Sequence, residues 1–272
     1  MAALETLNNR VVIISGAAQN IGAHMLKKFA EEGAIAIGCD LQGEKVEKVC
    51  EEIREKGGTA FSYSVDVTNE SDITKMVDDV IKKYGRIDCL VNNAASGGIG
   101  GPIPTTDLTQ EQFMLPFKVN VLGTFLMTKH VAKEMVKAKA GRIVDIISVA
   151  GFVNSPTMTP YRVSKAALLM LMKQDAVSYG KYGIRVNGVA PGSIVGPESW
   201  SGYKTFYHVD TEEEAKKIHE ENAKHINLVG RYGVPEDIAR AVHYFLAEDD
   251  FCNGAVINED GGAIITGSIL HA

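Results

Sequence analysis

Two residues suited to acid–base chemistry, Tyr161 and Lys165, stand four positions apart in the segment YRVSK. On a helix, this spacing places both side chains on one face. A tyrosine phenol ordinarily has a pKa of about 10, and a nearby ammonium group favours the phenolate and lowers that value. The pair can therefore exchange a proton with an alcohol or ketone oxygen. The same spacing also occurs in surface helical pairs that have no function.

A glycine-rich turn, SGAAQNIG, follows an apolar run and precedes a helical pattern. Gly16 permits a tight turn, and Gly22 permits the helix to pack closely on the strand. Backbone N–H groups at a helix start lack internal partners and attract phosphate. Asn20 stands where the pattern has its middle glycine. Asparagine tolerates positive φ and is a favoured N-cap, so we expect the turn to persist, with Asn20 capping a helix over residues 21–32.

The nature of the cofactor is indicated by Asp40, which ends the second strand pattern about 20 residues beyond the glycine-rich turn. An acid there accepts hydrogen bonds from both hydroxyls of an adenosine ribose, and it repels a 2′-phosphate. Neither Gln19 nor Leu41 supplies a positive charge for such a phosphate. We therefore predict NAD, with NADP less favoured. Asp40 as an ordinary turn residue is the other interpretation.

Short apolar runs alternate with longer helical patterns along the chain. The predicted strands cover residues 11–15, 34–40, 60–65, 88–92, 142–147, 184–190 and 255–258. The predicted helices cover residues 21–32, 44–55, 70–84, 110–138, 161–179 and 235–247. Continuous apolar strands separated by helices predict an α/β fold with a doubly wound parallel sheet of about seven strands, covered by helices on both faces.

Bulk composition narrows the class of protein. The chain has 272 residues and a net charge of −6, and no linker or repeat divides it, so we predict one domain. The negative charge argues against a nucleic-acid partner, because phosphate binding needs clustered Lys and Arg. Four scattered cysteines indicate a reducing compartment, with neither disulfides nor a metal site. The sequence has no signal-peptide pattern and no apolar run of the roughly 18 residues that a membrane span needs, so we expect a cytoplasmic protein.

The order of segments over nearly the whole chain resembles the short-chain dehydrogenase/reductases. The resemblance is carried by SGAAQNIG, Asp40, Asp66, Val67, VNNAA at 91–95, Asn120 in KVNVLG, IISVAG with Ser148, YRVSK, PGSI at 191–194 and VINEDGG. Ser148 lies thirteen residues before Tyr161, which is the spacing of that family. The resemblance implies a single Rossmann-type domain over residues 1–272. Its cofactor half would cover residues 11–95 and its catalytic half residues 110–192, with the long 193–225 connection as a substrate lid.

The resemblance also implies roles for single residues. Tyr161 is expected to be the acid/base, and Ser148 to hold the substrate oxygen. Lys165 is expected to bind the nicotinamide ribose and to lower the tyrosine pKa, and Asn120 to anchor a water that relays protons from Lys165. The expected cofactor contacts are Gly16, Gln19, Asn20, Ile21, Gly22, Asp40, Leu41, Asp66, Val67, Asn93, Ala94, Tyr161, Lys165, Pro191, Gly192 and Ile194. The expected substrate contacts are Ser148, Ala150 and Tyr161, and no metal is expected.

These features predict an NAD-dependent oxidoreductase that interconverts a secondary alcohol and a ketone by hydride transfer. One alternative is an NADPH-dependent ketoacyl-carrier reductase, which Asp40 and the net charge disfavour. Another is a non-catalytic nucleotide-binding member, which the four matching catalytic positions disfavour. Ring-bearing residues in the lid favour an apolar or cyclic substrate, unless they only pack the lid onto the protein: Trp200, Tyr203, Phe206, Tyr207 and His208.

Two further segments are unusually apolar, the stretch LLMLM at residues 168–172 and the tail over residues 261–270. One face of a helix can meet the sheet, but the other face needs cover. We therefore predict a homo-oligomer, a tetramer or a dimer, as the resemblance also implies. Burial within one chain is the other explanation for both segments.

Overall fold

A computed structural model describes residues 6–98, 102–196, 204 and 209–266 of the chain. Within these residues, seven parallel strands form one sheet in the order β3–β2–β1–β4–β5–β6–β7. The strands are β1 Val11–Ser15, β2 Ile35–Asp40, β3 Thr59–Ser64, β4 Cys89–Asn92, β5 Gly141–Ile146, β6 Ile184–Pro191 and β7 Val256–Glu259. The predicted parallel sheet is confirmed. Its order reverses between β1 and β4, and such a switch point opens a crevice at the carboxyl ends of the strands.

Helices connect most of the strands. They are α1 Asn20–Glu31, α2 Gly43–Glu55, α3 Glu70–Tyr84, α4 Gln110–Pro116, α5 Thr124–Ala138, α6 Thr159–Tyr179, α7 Glu212–Ile226, α8 Pro235–His243 and α9 Ala263–Thr266. Short 3₁₀ turns lie at Thr105–Asp107, Val149–Gly151 and Gly180–Tyr182, and π-helical turns lie at Phe117–Gly123 and Tyr244–Glu248. Among the helices of the described ranges, none is long and apolar enough for a membrane span.

The helices cover both faces of the sheet, as predicted. On one face, α1, α2 and α8 pack against side chains that include Val12 and Ile14. On the other face, α3, α5 and α6 pack against side chains that include Val11 and Ile13. Successive side chains of a strand point to opposite faces, and here both faces are buried. This is why β1 is apolar throughout instead of alternating with polar residues.

The predicted helix over residues 110–138 consists of three segments. The α4 helix ends at Pro116, the π-helical turn Phe117–Gly123 follows directly, and α5 continues from Thr124. Proline has no N–H and interrupts the hydrogen-bond ladder of an α-helix. The wider π geometry that follows is often found at functional sites, and it contains Asn120. The other predicted strands and helices begin and end within two residues of the observed ones, if the π-helical turn Tyr244–Glu248 is counted with α8.

Only part of the predicted lid over residues 193–225 belongs to the described residues. That part includes α7, whose start is a capping box in which the Thr211 hydroxyl accepts a hydrogen bond from the Glu214 N–H at 3.2 Å. Threonine followed three residues later by glutamate is the sequence signature of such a helix start. The five ring-bearing lid residues, Trp200, Tyr203, Phe206, Tyr207 and His208, lie outside the described residues, as does the end of the apolar tail.

Candidate active site

Close backbone packing shapes the glycine-rich turn after β1. Gly16 has a φ of +67°, and a Cβ added to it would lie 2.8 Å from the Cα of Ala94. A Cβ on Gly22 would lie 2.0 Å from the carbonyl oxygen of Gly16. Neither position has space for a side chain, and Gly16 also adopts a conformation that favours glycine. The predicted roles of Gly16 in the turn and of Gly22 in close packing agree with this geometry.

Asn20 adopts the left-handed conformation that the glycine pattern requires, with a φ of 48°. Its predicted capping role is wrong, because α1 begins at Asn20 itself, Gln19 occupies the N-cap position, and no side chain caps this helix. The backbone of an N-cap residue is extended, and its side-chain oxygen accepts a hydrogen bond from the N–H two or three residues ahead. The backbone of Asn20 is left-handed, and this residue lies inside the first turn of α1. Its Oδ1 atom is buried and has no hydrogen-bond partner among the described residues.

Two polar side chains fix the turn to the neighbouring strand. The Ser15 hydroxyl oxygen accepts hydrogen bonds from the N–H groups of Asn93 and Ala94, each at 3.1 Å. The Asn93 side-chain Nδ2 donates to the carbonyl oxygens of Ser15 at 3.0 Å and Gly16 at 2.9 Å. The amide nitrogen of Asn93 therefore holds the turn. Ser15 was not predicted as a site residue, and its signal in the sequence is only a serine at the end of an apolar strand.

A cleft of about 600 Å³ opens at the carboxyl ends of β1 to β4. Eleven of the predicted cofactor residues line it: Gly16, Gln19, Asn20, Ile21, Gly22, Asp40, Leu41, Asp66, Val67, Asn93 and Ala94. Five further residues also line it and were not predicted: Gln42, Val65, Ala95, Ser96 and Val119. A volume of several hundred Å³ is typical of small-molecule and cofactor sites.

The polar groups of this cleft suit a dinucleotide. The start of α1 has no side-chain cap and no acidic residue in its first turn, so its unpaired N–H groups and positive dipole end can receive a phosphate. At the end of β2, Asp40 Oδ2 accepts a hydrogen bond from the Ala18 N–H at 3.3 Å. Asp40 Oδ1 accepts one from the Gln42 N–H at 2.9 Å. A carboxylate has about four acceptor positions, so Asp40 retains capacity for two ribose hydroxyls.

Tyr161 and Lys165 lie on one face of α6, as their spacing predicts. The Lys165 Nζ atom is 5.7 Å from the centre of the Tyr161 ring. It donates a hydrogen bond to the carbonyl oxygen of Ile146, at the end of β5, at 2.8 Å. The Lys165 side chain is almost fully buried. Burial lowers the pKa of Lys165 to about 8, and the negative charge of Asp145 acts in the opposite direction.

The pKa of Tyr161 is raised in this structure, so the expected lowering by Lys165 is wrong here. Burial of the phenol is the largest cause of the increase. A side-chain hydrogen bond with Ser148 and the charge of Arg162 act against it. The charge of Lys165 is not among the causes that act on this pKa, and the Lys165 Nζ atom instead donates its hydrogen bond to the Ile146 carbonyl oxygen.

Ser148 lies in the turn after β5, which packs tightly on α6. Its hydroxyl oxygen accepts a hydrogen bond from the Ala150 N–H at 3.1 Å. Ala150, a predicted substrate contact, thus lies directly beside it. A Cβ on Gly151 would lie 2.9 Å from the backbone carbonyl carbon of Lys165, so only glycine lets the turn approach the helix so closely. Gly151 was not predicted, because the need for this glycine arises from a contact between segments distant in sequence.

Asn120 connects the cleft to the catalytic helix. It is fully buried in the π-helical turn, and its Oδ1 accepts a hydrogen bond from the Ser96 N–H at 2.7 Å. Its Nδ2 donates to the Ser96 carbonyl oxygen at 3.0 Å and to the Ser164 hydroxyl oxygen at 2.9 Å. The Ser164 hydroxyl donates in turn to the Tyr161 carbonyl oxygen at 2.7 Å. Both amide hydrogens of Asn120 are therefore engaged by protein groups, and Ser164 is a positioning residue that was not predicted.

Three predicted cofactor contacts lie at the end of β6 or directly after it and, like Tyr161 and Lys165, do not line the cleft. Pro191 is the last residue of β6, and the Gly192 N–H donates to the Glu259 carbonyl oxygen at 2.9 Å. Ile194 forms an isolated parallel bridge with Gly233. These bonds fix the start of the lid segment beside β7.

Comparison with known proteins agrees with this geometry. Residues 10–204 match the family model described as short chain dehydrogenase. A 3-oxoacyl-(acyl-carrier-protein) reductase from Thermotoga maritima is 36% identical over 95% of this chain and 99% of its own length. Cyclopentanol dehydrogenase from Comamonas sp. is 33% identical over 94% of this chain and 97% of its own. For 7α-hydroxysteroid dehydrogenase from Escherichia coli, the identity is 33% and the coverage 95% of both chains.

Solved structures of similar proteins share this fold. NAD⁺-bound xylitol dehydrogenase matches with a TM-score of 0.84 and 32% identity, over 94% of this chain and 99% of that one. 7α-Hydroxysteroid dehydrogenase with NADH and 7-oxo glycochenodeoxycholic acid matches with a TM-score of 0.82 and 32% identity, over 94% of this chain and 95% of that one. The sheet order, the matched segments and these relatives together show that the chain belongs to the short-chain dehydrogenase family of oxidoreductases.

Proposed function

We propose that this protein is an NAD-dependent dehydrogenase that interconverts a secondary alcohol and its ketone. The observation that carries the proposal is that the Asn120 side chain bonds both to Ser96, which lines the cleft, and to Ser164 on α6, the helix that carries Tyr161 and Lys165. The cleft at Gly16 and Asp40 thus suits phosphates and a ribose, and the groups at Ser148 and Tyr161 suit proton exchange with a substrate oxygen.

A bound nicotinamide supplies the hydride chemistry of such a site. The chain's own residues manage the substrate oxygen. The Ser148 hydroxyl and the Tyr161 phenol can both donate to a carbonyl oxygen, where negative charge develops during reduction. The raised pKa of Tyr161 keeps its phenol protonated at neutral pH, which is the form that donates a proton to a ketone. Lys165 would hold the nicotinamide ribose, and Asn120 would stand on the proton path from Lys165.

Asp40 supports NAD over NADP. Its carboxylate lines the cleft at the end of β2, where it would accept the ribose hydroxyls and repel a 2′-phosphate. Two structural relatives, the xylitol and 7α-hydroxysteroid dehydrogenases, were solved with NAD⁺ and NADH. We further propose a small alcohol or ketone as substrate, with Ala150 beside the reacting oxygen. The cyclopentanol and hydroxysteroid relatives support a cyclic or apolar one.

A second candidate, an NADPH-dependent ketoacyl-carrier reductase, is favoured by the 36% identity to a reductase of that class. Asp40 disfavours NADPH, because its carboxylate repels the 2′-phosphate of that cofactor. The net charge of −6 disfavours an acyl carrier as partner, because such a carrier is itself acidic. The two candidates differ in both cofactor and substrate, so one set of measurements separates them.

The test begins with fluorescence titration of the protein by NADH and NADPH. We expect NADH to bind at least about tenfold more tightly, which corresponds to about 1.4 kcal/mol. A panel of cyclic alcohols, hydroxysteroids and polyols is then oxidised with NAD⁺, and NADH formation is followed by absorbance. Tighter NADPH binding together with ketoacyl-thioester reduction would instead establish the second candidate. Binding without turnover of any kind would favour a non-catalytic member.

Tyr161→Phe tests the chemistry on whichever alcohol reacts. Loss of the phenolic proton should lower kcat by roughly 10² to 10⁴-fold, the usual contribution of general acid–base catalysis. The phenyl ring keeps the packing of α6, so NADH affinity should stay close to the wild-type value. A variant with wild-type kcat would rule out Tyr161 as the acid/base.

We also propose that the chain forms a homo-oligomer through α5 and α6. The predicted two-sided character of residues 168–172 appears as a buried side, with Leu168 and Met172, and an exposed side, where Met170 is 64% exposed. Val177 is 77% exposed on the same helix, and Phe125 is 44% exposed on α5. Met170 and Val177 are two helical turns apart and therefore share one side of α6, and exposed apolar side chains on a shared side mark interaction surfaces.

A further inference from the structure

A cluster of buried polar side chains lies between the sheet and the helices α5 and α6. Its members are Asn92, Thr128, Asp145, Lys165 and Asp175, and none is more than 8% exposed. Asp145 is a single acid in the otherwise apolar end of β5, and Asp175 is a single acid on the sheet-facing side of α6. Burying charged groups is costly unless they are paired, so this cluster calls for an explanation beyond packing.

The hydrogen bonds within the cluster are incomplete. Strands β4 and β5 place Asn92 beside Asp145, and the Asn92 Nδ2 donates to Asp145 Oδ1 at 2.8 Å and to Thr128 Oγ1 at 3.0 Å. Three oxygens, Asn92 Oδ1, Asp145 Oδ2 and Asp175 Oδ2, are buried and have no hydrogen-bond partner among the described residues. Buried polar atoms are satisfied in most proteins. Three exceptions in one cluster indicate that it serves something other than stability.

One positive charge, that of Lys165, acts on Asp145. The other charged group that acts on Asp145 is Asp175, and Asp175 also acts on Tyr179. The Lys165 Nζ atom also lies 5.7 Å from the centre of the Tyr161 ring. The other elements packed around the cluster contribute neutral side chains within the described part of the chain: Asn92 from β4, Thr128 from α5 and Asn120 from the π-helical turn. Burial raises the pKa of Asp145 to about 7 and that of Asp175 to about 6, so both carboxyls are ionised once the pH reaches about 8.

We propose that Asp145 is a positioning residue for Lys165, whose buried amine it keeps in the ammonium form. The geometry supports the pairing, because Lys165 Nζ bonds to the carbonyl oxygen of Ile146, the residue that follows Asp145 on β5. Strand β5 thus orients the Lys165 amine through the Ile146 carbonyl and favours its protonated form through Asp145. The inference rests on the proposed function, in which the Lys165 ammonium holds the nicotinamide ribose.

Burial and Asp145 have opposite effects on Lys165. Burial lowers the pKa of Lys165 to about 8, and Asp145 limits that decrease. Removal of the Asp145 charge therefore lets the pKa of Lys165 decrease further. The hydrogen bond that Asn92 donates to Asp145 lowers the pKa of Asp145, so loss of this bond leaves less negative charge beside Lys165 and should act in the same direction. A residue with only a packing role would not produce such a shift.

The affinity for NADH, measured by fluorescence titration from neutral to alkaline pH, reports the charge of Lys165. In the wild-type protein we expect affinity to decrease as the pH rises through about 8. In Asp145→Asn, the midpoint of this decrease should move to lower pH by about one unit, a tenfold change in the ratio of ammonium to amine. In Asn92→Leu, which removes the hydrogen bond that keeps Asp145 ionised, the midpoint should also move to lower pH. Thr128→Val is the matched control, because it removes a hydrogen bond and no charge, and its midpoint should not move.

Several results would overturn the inference. Unchanged midpoints in Asp145→Asn and Asn92→Leu, shifts to higher pH, or an equal shift in Thr128→Val would each show that charge is not responsible. If Asp145→Asn does not fold by circular dichroism, the direction of the Asn92→Leu shift decides alone. Wild-type protein that binds no NADH at any pH would contradict the proposed function, and this inference with it. Wild-type binding with unmoved midpoints would contradict this inference only.

Discussion

At the scale of single residues, Asn20 is the clearest departure from a minimal dinucleotide turn. Its φ of 48° lies in the region that favours glycine, and its buried Oδ1 has no partner among the described residues. A left-handed conformation costs an ordinary residue roughly 1–2 kcal/mol, and asparagine is among the few that tolerate it. Conformations of this kind persist where the surrounding structure enforces them, which is common at binding sites. Here the enforcing contacts are those of Gly16 and Gly22.

Substitutions at Asn20 should separate the backbone requirement from the side chain. Asn20→Gly satisfies the left-handed φ and removes the unpartnered oxygen, so we expect the free energy of unfolding to stay the same or to rise by up to about 1 kcal/mol. Asn20→Val introduces a β-branched side chain at positive φ and should lower that free energy by at least about 1 kcal/mol. Urea denaturation measures both. Equal stability of Asn20→Val and the wild-type protein would contradict the backbone explanation.

At the scale of elements, the site depends on how closely three turns approach their neighbours. The turn after β1 meets the segment after β4 at Ala94, the turn after β5 meets α6 at Lys165, and the π-helical turn meets Ser164 through Asn120. Each approach joins segments far apart in sequence. Because glycines or fully engaged side chains make these contacts, the turns have little freedom to shift, and the reacting groups stay in a fixed arrangement.

Gly22→Ala tests the closest of these approaches. The added methyl would lie 2.0 Å from the Gly16 carbonyl oxygen, so α1 must move away from β1. We expect the free energy of unfolding to decrease by at least about 2 kcal/mol and NADH affinity to be lost. Gly97→Ala is the control, because the nearest atom there, Met158 Cε, lies 3.8 Å away in ordinary contact, and its stability should match the wild-type protein. A stable Gly22→Ala protein that binds NADH would show that the packing is not required.

At the scale of the whole molecule, α6 has one side buried against the sheet and one side exposed. Its inner side carries Lys165 and packs on the sheet, while its outer side exposes Met170 and Val177. If the outer side is covered by a second copy, oligomerisation would hold the catalytic helix from both sides. Assembly and activity would then depend on the same element.

Met170→Glu tests this arrangement. A charge on the proposed interface should dissociate the oligomer and lower the mass measured by sedimentation velocity, because an unpaired charge cannot be buried between two copies. Lys48→Glu, on the exposed side of α2, introduces a carboxylate elsewhere and should leave the mass unchanged. A Met170→Glu protein with the wild-type mass would exclude this side of α6 from the interface, and a wild-type monomer would contradict the oligomer itself.

The sequence by itself determined the elements and most of the cleft. Strands buried on both faces must be apolar throughout, so runs such as residues 11–15 are distinct from the helical patterns between them. Parallel strands bring their carboxyl ends to one edge, so Gly16, Asp40, Asp66 and Asn93 converge on one cleft. The spacing of Tyr161 and Lys165 fixed their common face on α6. These features depend on local periodicity and on position along the chain, both of which a sequence displays directly.

Only the tertiary structure decided the properties that depend on neighbours from distant segments. Ser15 and Ser164 act through partners many residues away, and Asn93 turns its amide nitrogen toward Ser15 and Gly16. The raised pKa of Tyr161 follows from burial, and the raised pKa of Asp145 follows from burial and from the charge of Asp175. A sequence shows which groups can ionise. The water removed from them and the charges brought near them, which set their pKa values, are fixed only when the chain is folded.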